Sequence, residues 1–293
     1  MTGLTVLAPA KLNLGLEILG KRSDGYHEIA TILQAVSIYD RLTLQPAEDL
    51  TLTCSVPELA GPSNLALIAA RRLREQVAAS GASIHLSKVI PAAAGLGGAS
   101  SDAAATLVAA ASLWGMTGAP STLAAIAEEL GSDVPFFLTG GAAVATGRGT
   151  QLTALPPPDG VWFVVVVPTL LVERKTETMY AAIRPDDVTD GAAIHRQADR
   201  LRTGASIEPT FLANAFHRPL LDRFPALRSL SRSMTAAGAP LVALSGAGPA
   251  HYTLLPSAER AAHVAATLNR LLGDSAHTYL CRPLAEPCQV VTT

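Results

Sequence analysis

Apolar and polar residues alternate near the start of the chain. Between positions 4 and 22, aliphatic residues occupy every second position from Leu12 to Ile18, and polar or small residues separate them. A period of two predicts a β-strand with one buried and one open face. Lys11 and Asn13 fall together on the polar face, about 7 Å apart. Such a pair is ordinarily just solvated, and it becomes a candidate site only if other polar groups converge on it.

Short apolar stretches and amphipathic stretches then follow one another along the chain. The predicted strands lie at residues 42–45, 51–54, 83–90, 161–167, 241–243 and 250–255. The predicted helices lie at residues 63–80, 101–113, 121–130, 211–237 (in two pieces) and 257–273. Strands and helices do not alternate strictly, which favours an α+β fold of two mixed lobes over a doubly wound parallel sheet.

Turn and cap residues add three local predictions. The strands predicted at residues 42–45 and 51–54 are interpreted as a hairpin around Pro46–Leu50. Ser63 is predicted to cap the helix that follows. Pro156–Gly160 is the predicted boundary between the lobes, which gives an N-terminal lobe at residues 1–158 and a C-terminal lobe at residues 159–293.

The charge balance narrows the class of partner. Twenty-two Lys and Arg against 24 Asp and Glu give a net charge of 22 − 24 = −2, which argues against a nucleic-acid binder. Hydrophobic residues make up 49% of the chain, so it can bury enough apolar surface to fold. No stretch approaches the roughly 18–20 apolar residues that span a bilayer, and no basic flank marks a signal peptide. We therefore expect a cytoplasmic protein that binds neither membrane nor nucleic acid.

The cysteines and histidines predict neither a disulfide framework nor a zinc site. Cys54, Cys281 and Cys288 are odd in number and irregularly spaced, so they suggest neither a disulfide framework nor a zinc site. The seven histidines include no HExxH pair, which makes a zinc hydrolase a poor hypothesis.

A glycine-rich stretch between a predicted strand and a predicted helix is the strongest local signal. It runs Pro91-Ala-Ala-Ala-Gly-Leu-Gly-Gly-Ala-Ser-Ser101. Glycines allow a tight turn close to a ligand, and the free N–H groups of a helix N-terminus bind phosphate. The stretch matches neither the GxxxxGK[ST] nor the GxGxxG pattern. By itself it is either a phosphate-binding loop or an ordinary turn with a Ser-Ser-Asp cap.

Three further signals are weak on their own. Asp133 stands before a Val-Pro-Phe-Phe stretch at a predicted helix-to-strand junction, where a lone Asp is more often a cap or turn residue. The small-residue loop Ser245–Gly248, which includes Gly246, lies between two predicted strands and could approach a ligand. Tyr26 and His27 follow an Asp-Gly turn, and such a pair either recognises a planar base or is simply solvated.

Together these motifs resemble the GHMP kinases, named for galactokinase, homoserine kinase, mevalonate kinase and phosphomevalonate kinase. The order is Pro-Ala-Lys-x-Asn, then Pro-x-x-x-Gly-Leu-Gly-Gly-x-Ser-Ser, then Ser-Gly-x-Gly. The stretch Pro9–Glu28 and the Asp133-Val-Pro-Phe-Phe motif are similar to one family among them, whose substrate is 4-diphosphocytidyl-2-C-methyl-D-erythritol. The resemblance extends from Ala8 to about Leu255.

The resemblance implies a fold and an activity. The fold would have an N-terminal α/β lobe with a left-handed crossover and a C-terminal ferredoxin-like lobe. The activity would be transfer of the γ-phosphate of ATP, with Mg²⁺, to the tertiary 2-hydroxyl of the cytidine-diphosphate-linked methylerythritol, in the non-mevalonate route to isoprenoids. Two alternatives stay open: another GHMP kinase of mevalonate or homoserine type, and a non-catalytic ligand sensor with this fold.

The resemblance also implies roles for individual residues. Asp133 would accept the proton of the attacking hydroxyl, beside Lys11. ATP would bind along Pro91, Ala92, Ala93, Ala94, Gly95, Leu96, Gly97, Gly98, Ala99, Ser100 and Ser101. The substrate would contact Asn13, Tyr26, His27, Tyr180, Ser245, Gly246 and Gly248.

Within the substrate set, the cytosine is predicted to lie between Tyr26 and Tyr180, with His27 at its edge. The alternative for Tyr180 is a surface helix residue that covers apolar neighbours. No firm Mg²⁺ ligand emerges, although Ser100 and Ser101 are candidates, and we expect a monomer or a weak homodimer.

Two stretches depart from the family pattern. Ala247 stands where the family often has Ser or Thr, so one side-chain contact to phosphate would be missing. The segment Leu171–Tyr180 is longer and more charged than the usual short turn, which leaves its placement open.

Overall fold

The structure, a computed structural model, describes residues 3–77, 79–116, 120–169 and 175–291. Its strands are β1 (Leu4–Lys21), β2 (His27–Ala47), β3 (Thr51–Cys54), β4 (Gly81–Ser87), β5 (Ala142–Gly147), β6 (Gln151–Leu155), β7 (Trp162–Pro168), β8 (Ala243–Leu244), β9 (His251–Leu255), β10 (Ala276–Cys281) and β11 (Gln289–Val291). Its α-helices are α1 (Leu65–Val77), α2 (Gly98–Leu113), α3 (Pro120–Leu130), α4 (Val134–Thr139), α5 (Lys175–Ala181), α6 (Ala192–Arg202), α7 (His217–Arg223), α8 (Leu227–Ala236) and α9 (Ala258–Leu272).

The first sheet is built around a long antiparallel pair, β1 and β2. Its main path runs β11–β1–β2–β4–β3, and β5 and β6 extend it from β2. Helices α1, α2 and α4 cover one side, where small side chains such as Ala104 and Ala109 let α2 approach the strands closely. The strand predicted at residues 4–22 is confirmed, but its polar face is not open, since Lys11 and Asn13 are both buried.

The second sheet has the order β10–β7–β9–β8, with every neighbouring pair antiparallel. Helices lie between β7 and β8 and again between β9 and β10, which is the ferredoxin-like βαββαβ arrangement. A shared core joins the two sheets, in which Leu12 and Ile32 of the first meet Phe163 and Tyr252 of the second. The predicted α+β fold of two lobes is therefore confirmed.

The boundary at residue 158 stays a prediction. The chain passes from β6 of the first sheet to β7 of the second through residues 156–161, in agreement with that position. After the second sheet the chain returns to the first sheet, because β11 pairs antiparallel with β1.

Several local predictions are wrong, each for a physical reason. Residues 42–45 and 51–54 form no hairpin: β3 pairs in parallel with β4, which separates it from β2. Asn64 rather than Ser63 caps α1, because its Oδ1 accepts the N–H of Ala66 at 2.9 Å. The stretch after Asp133 is helix α4 rather than a strand, with Pro135 in its first turn, where a missing N–H is harmless.

The helix predicted at residues 257–273 is confirmed. Helix α9 begins after Ser257, whose Oγ accepts the N–H of Arg260, and ends before Gly273. Within the described residues, no helix is long and apolar enough to cross a bilayer.

Candidate active site

Lys11 and Asn13 lie side by side in the middle of β1, as the alternation predicts. The Nζ of Lys11 donates to Oδ1 of Asn13 at 2.6 Å, and Nδ2 of Asn13 donates to Oγ1 of Thr31 on β2 at 2.9 Å. Thr31 in turn donates to the carbonyl of Gly15 at 2.6 Å. Because each side chain is hydrogen-bonded to the next, the ammonium of Lys11 has a fixed position. Lys11 is also buried, with only 4% of the residue exposed.

Asp133 meets this pair from the N-terminal end of α4. Its Oδ2 lies 3.5 Å from Nζ of Lys11, and its side chain is 35% exposed while that of Lys11 is 5% exposed. Phe136 and Phe137, both fully buried, anchor α4 in the core and so hold Asp133 at the edge of a cavity. The carboxylate is thus paired with a buried cation and still reachable from outside.

The glycine-rich stretch and the late small-residue loop are interlocked. A Cβ on Gly95, where φ is +88°, would lie 2.3 Å from the carbonyl oxygen of Ser245. The Oγ of Ser245 donates to the carbonyl of Gly95 at 3.0 Å, and the N–H of Ala250 donates to the carbonyl of Ala94 at 3.0 Å. Ser245 therefore hydrogen-bonds to the backbone of the glycine-rich stretch. The neighbouring Gly246 lines a cavity.

Gly97 turns this loop into the start of helix α2. It has a φ of +74°, and a Cβ there would lie 2.8 Å from Cζ of Phe137 and 3.0 Å from Cγ of Lys11. A glycine is thus required both by conformation and by space. Helix α2 then begins at Gly98, and its first turn presents N–H groups that have no partner within the helix. This is the geometry that favours a bound phosphate.

Two cavities meet at this loop. The larger, about 910 Å³, is lined by Lys11, Asn13 and Asp133 together with Tyr26, His27 and Tyr180. The smaller, about 460 Å³, is lined by Pro91–Ala94, Asn64 and Lys88. Gly95, Gly97 and Ser100 line both cavities. Two ligands could therefore approach each other across a wall that contains two residues without side chains.

Not every predicted site residue faces these cavities. Leu96 and Ser101 of the glycine-rich stretch are buried in the core. Gly248 packs against Leu220, since a Cβ on it would lie 2.7 Å from that side chain. Ala247, at the departure from the family pattern, does line the larger cavity.

Aromatic rings form one wall of the larger cavity. His27 and Tyr180 stack with ring centroids 4.7 Å apart and planes 19° apart, and Tyr180 meets Phe216 edge to face at 4.8 Å. Tyr26 is 54% exposed, and the guanidinium carbon of Arg148 lies 4.0 Å from its ring centroid. The structure thus brings the three predicted rings to one wall and stacks His27 directly on Tyr180. The predicted position of the cytosine between Tyr26 and Tyr180 stays a prediction. Residues 171–174 and the side chains of Lys175 and Thr176, which precede Tyr180, lie outside the described residues.

Burial changes the acidity of two of these rings. It lowers the pKa of His27 below its ordinary value, and the nearby charge of Lys21 acts in the same direction. His27 is therefore neutral near pH 7 and can both donate and accept a hydrogen bond. Burial and the negative charge of Asp133 raise the pKa of Tyr180 to about 12, so its hydroxyl keeps its proton.

The residue-by-residue prediction missed one single charged residue and one group of three. Arg148 lies in the turn between β5 and β6 and lines the larger cavity, and its flanking glycines, Gly147 and Gly149, were a usable turn signal. Lys88, Asp40 and Asp102 form a buried ion-paired group beneath the smaller cavity, with Lys88 Nζ 2.7 Å from Asp102 and also bonded to Asp40. These three residues are far apart in sequence, and no local pattern connects them.

Comparison with known proteins identifies relatives that match most of the chain. The family model for the GHMP kinases N terminal domain matches residues 64–141. A 4-diphosphocytidyl-2-C-methyl-D-erythritol kinase from Dehalococcoides mccartyi is 38% identical over 254 residues, which cover 86% of this chain and 89% of that protein. One of the same name from Symbiobacterium thermophilum is 39% identical over 277 residues, which cover 91% and 95%.

Solved structures agree with these relatives. The crystal structure of a 4-(cytidine 5'-diphospho)-2C-methyl-D-erythritol kinase superposes with a TM-score of 0.79 at 37% identity, covering 94% of this chain and 98% of that one. A homoserine kinase from Cytophaga hutchinsonii superposes with a TM-score of 0.77 at 19% identity, covering 99% and 98%, which shows a shared fold.

Proposed function

This chain belongs to the 4-diphosphocytidyl-2-C-methyl-D-erythritol kinase family of the GHMP kinases, and from that premise we propose how its residues carry out the ATP-dependent phosphorylation. The smaller cavity takes ATP, the larger takes the substrate, and the phosphoryl group crosses the wall at Gly95 and Gly97. The observation that carries this proposal is that the two cavities share Gly95, Gly97 and Ser100 while Lys11 and Asp133 stand on the substrate side.

Phosphoryl transfer depends mainly on positioning and on stabilising charge. We assign the phosphates of ATP to the first turn of α2, where free N–H groups and the helix dipole attract them. The buried ammonium of Lys11 then faces the negative charge that spreads over the transferred group. Both groups are in place before the reaction, so no reorganisation is needed when the charge develops.

Asp133 accepts the proton of the attacking 2-hydroxyl in this proposal. An ionised carboxylate is a weak base towards an alcohol, but a loose transition state requires the proton to leave only late. The ammonium of Lys11 lies 3.5 Å from this carboxylate and pairs with it. Asn13, already bonded to Lys11, has its amide on the same side of the cavity and can orient the substrate.

The aromatic wall holds the cytosine. The base is planar and lies far from the reacting hydroxyl, so its recognition provides orientation rather than chemistry. We propose that Tyr26 and Tyr180 stack on it and that neutral His27 bonds its edge, which requires His27 to leave its stacked position on Tyr180. The guanidinium of Arg148 stands beside Tyr26 and adds a positive charge on the side where the diphosphate would follow.

Mg²⁺ fits this site as a metal held mostly by phosphate and water. Among the described residues no group of three His, Cys, Asp or Glu side chains could hold a metal ion. Ser100, in the first turn of α2, lines both cavities and would supply one hydroxyl, whereas Ser101 is fully buried. Mg²⁺ commonly retains several waters and few protein ligands, so one hydroxyl suffices. When bound, the metal neutralises negative charge on the phosphate oxygens.

The test is direct. Purified protein with ATP, Mg²⁺ and 4-diphosphocytidyl-2-C-methyl-D-erythritol should give a 2-phosphorylated product, identified by phosphorus NMR. Mevalonate, homoserine and methylerythritol without the cytidine diphosphate serve as acceptor controls and should react at least 100-fold more slowly, about the 3 kcal/mol of two stacking contacts. Equal turnover of the truncated acceptor would contradict the cytidine subsite, and no product from folded protein would contradict the kinase assignment.

Three wider expectations remain proposals. They are the cytoplasmic location, an oligomeric state that is either a monomer or a weak homodimer, and a lobe boundary near residue 158. Light scattering across a range of protein concentrations would decide the second.

A further inference from the structure

The chain links its two sheets a second time near its C-terminal end. After β10 in the second sheet, residues Arg282–Cys288, here named the strap, cross back to the first sheet and lead into β11, which pairs with β1. Within the strap, Arg282 and residues Leu284–Cys288 lie in neither a helix nor a strand. Its conformation is therefore set by what it touches.

Backbone bonds attach the strap to β2. The N–H of Ser37 donates to the carbonyl of Arg282 at 3.1 Å, and the N–H of Leu284 donates to the carbonyl of Ala35 at 2.9 Å. The Oγ of Ser37 also accepts the N–H of Arg282 at 3.0 Å. These bonds place the strap beside the turn that joins α4 to β5.

A buried glutamine joins three segments at this point. The Nε2 of Gln34 donates to the carbonyls of Ala35 at 2.7 Å, Leu284 at 2.9 Å and Gly141 at 3.3 Å. Gln34 is fully buried, and its Oε1 has no hydrogen-bond partner among the described residues. A buried amide with an unpartnered oxygen is unfavourable for stability alone, which suggests that the junction serves another purpose.

Two glycines contact the strap just after the C-terminal end of α4. A Cβ on Gly140 would lie 2.2 Å from Cα of Pro287, and a Cβ on Gly141 would lie 2.8 Å from the carbonyl oxygen of Ala285. The N–H of Gly140 donates to the carbonyl of Phe136 at 2.7 Å and so closes the helix. The strap thus lies in backbone contact with the C-terminal end of α4.

Asp133 stands at the opposite end of the same helix. Helix α4 has 6 residues, so at about 1.5 Å per residue its two ends are roughly 9 Å apart. Within it, Phe137 contacts Gly97 of the glycine-rich stretch. A helix this short moves as one body, so a shift at Gly140 is passed on to Asp133.

We propose that the strap is a positioning element of the active site, acting through Gln34, Gly140 and α4 to fix the distance between Asp133 and Lys11. The proposal rests on the proposed role of Asp133 as the base. Small misplacements of a catalytic group are expensive, since about 1 Å can lower a rate roughly 100-fold. Loosening the strap should therefore lower kcat and leave the two binding cavities intact.

Gln34→Leu is the primary test, because it removes the side-chain donor while the backbone bonds of Ala35 to Leu284 and Gly141 remain. We expect kcat to fall about 5- to 50-fold, with KM for ATP and for the substrate within about threefold of wild type. Pro287→Gly, which frees the strap at its contact with Gly140, should act in the same direction. Gln45→Leu on an exposed part of β2 and Pro256→Gly in an exposed turn are the matched controls and should leave kcat unchanged.

Combination with Asp133→Asn separates positioning from general loss of structure. If the strap acts through Asp133, Gln34→Leu should lower kcat less than about twofold when Asp133 is already Asn. An equal fall in both backgrounds, a rise in KM in place of the fall in kcat, or normal kcat in both strap variants would overturn the proposal. Near-normal turnover of Asp133→Asn alone would instead overturn the proposed base, so the two failures can be told apart. Should Gln34→Leu not fold, Pro287→Gly in the two backgrounds carries the same comparison.

Discussion

The ring of Phe137 occupies the space into which a side chain on Gly97 would point, 2.8 Å from the position of its Cβ. Phe137 belongs to helix α4, which Asp133 directly precedes, and Gly97 belongs to the glycine-rich stretch and directly precedes helix α2. The proposed base and the proposed phosphate site therefore share one contact in the core. The first two predictions below concern residues on either side of that contact.

Asp133→Asn should lower kcat by roughly 10²–10⁴, the range for loss of a general base. The amide cannot accept the proton, while the glycine-rich stretch is untouched, so Kd for ATP should stay within about twofold. Steady-state kinetics and calorimetry measure both quantities. Asp159→Asn, in the exposed segment between β6 and β7, is the control. Turnover close to wild type would remove Asp133 from the mechanism.

Gly97→Val should weaken ATP binding more than substrate binding. The new side chain would press on Phe137 and on Lys11, whose Cγ lies 3.0 Å from the Cβ position, and φ at this residue is +74°. A β-branched residue is strained in that conformation, so the loop must rearrange. Gly115→Val is a matched control, since Gly115 also has a positive φ (+68°) but nothing within 4 Å of its Cβ position. Stronger loss of substrate binding than of ATP binding would mean that the loop has another role.

Tyr26→Ala and Tyr180→Ala should each raise the substrate Kd about 5- to 150-fold, which corresponds to 1–3 kcal/mol of stacking per base. Affinity for ATP should not change, because neither ring lines the smaller cavity. Tyr180→Phe retains the ring and should keep the affinity. An unchanged Kd in Tyr180→Ala would instead favour a packing role for Tyr180 against Phe216.

Substrate affinity should also fall at acidic pH through His27. Its pKa lies below the ordinary value, so the ring is neutral at pH 7 and gains its second proton only below about pH 6.5. The protonated ring loses its acceptor, and the substrate Kd should rise as the pH is lowered through that range. His27→Gln cannot titrate and should show a flatter pH dependence. The same slope in both proteins would assign the effect to another group.

Lys88→Met should reduce the free energy of unfolding by about 3–5 kcal/mol, because it leaves Asp40 and Asp102 buried without their shared cation. Urea unfolding measures the change. Lys21→Met, at an exposed position, is the control and should change stability by less than about 0.5 kcal/mol. A small effect at Lys88 would mean that water reaches the group.

The raised pKa of Asp102 predicts how the free energy of unfolding changes with pH. Burial first, and then the charge of Asp40, raise the pKa of Asp102 from 3.8 to about 7 against the opposing effect of Lys88. The folded protein then holds this proton more tightly than the unfolded chain, so the free energy of unfolding falls as the pH rises from 3.8 towards 7. Asp102→Asn should remove that part of the slope. An identical slope in both proteins would contradict the assignment.

The sequence predicted those parts of the fold and site that depend on neighbours in the chain. The alternation around Lys11 and Asn13 and the glycine stretch before α2 are local patterns, and both have the predicted structure. The parallel pairing of β3 with β4 depends on contacts between distant residues, which local turn signals cannot encode. An apolar stretch such as the one after Asp133 does not by itself distinguish a strand from a helix.

Within the site, the closeness of Lys11 and Asp133 followed from the family resemblance rather than from spacing. Arg148 was missed because one charged residue in a turn is ordinarily solvated. The stacking of His27 on Tyr180 was missed because it depends on where α5 packs.

The shared wall at Gly95 and Gly97 has a stereochemical consequence. Where donor and acceptor face each other across bare backbone, the phosphoryl group can pass in one in-line displacement, with attacking and leaving oxygens on opposite sides of phosphorus. One displacement inverts the configuration of a chirally labelled phosphorus, whereas a relay through the hydroxyl of Ser100 would invert it twice and restore it. The absence of side chains at Gly95 and Gly97 thus favours an inverted configuration at phosphorus in the product.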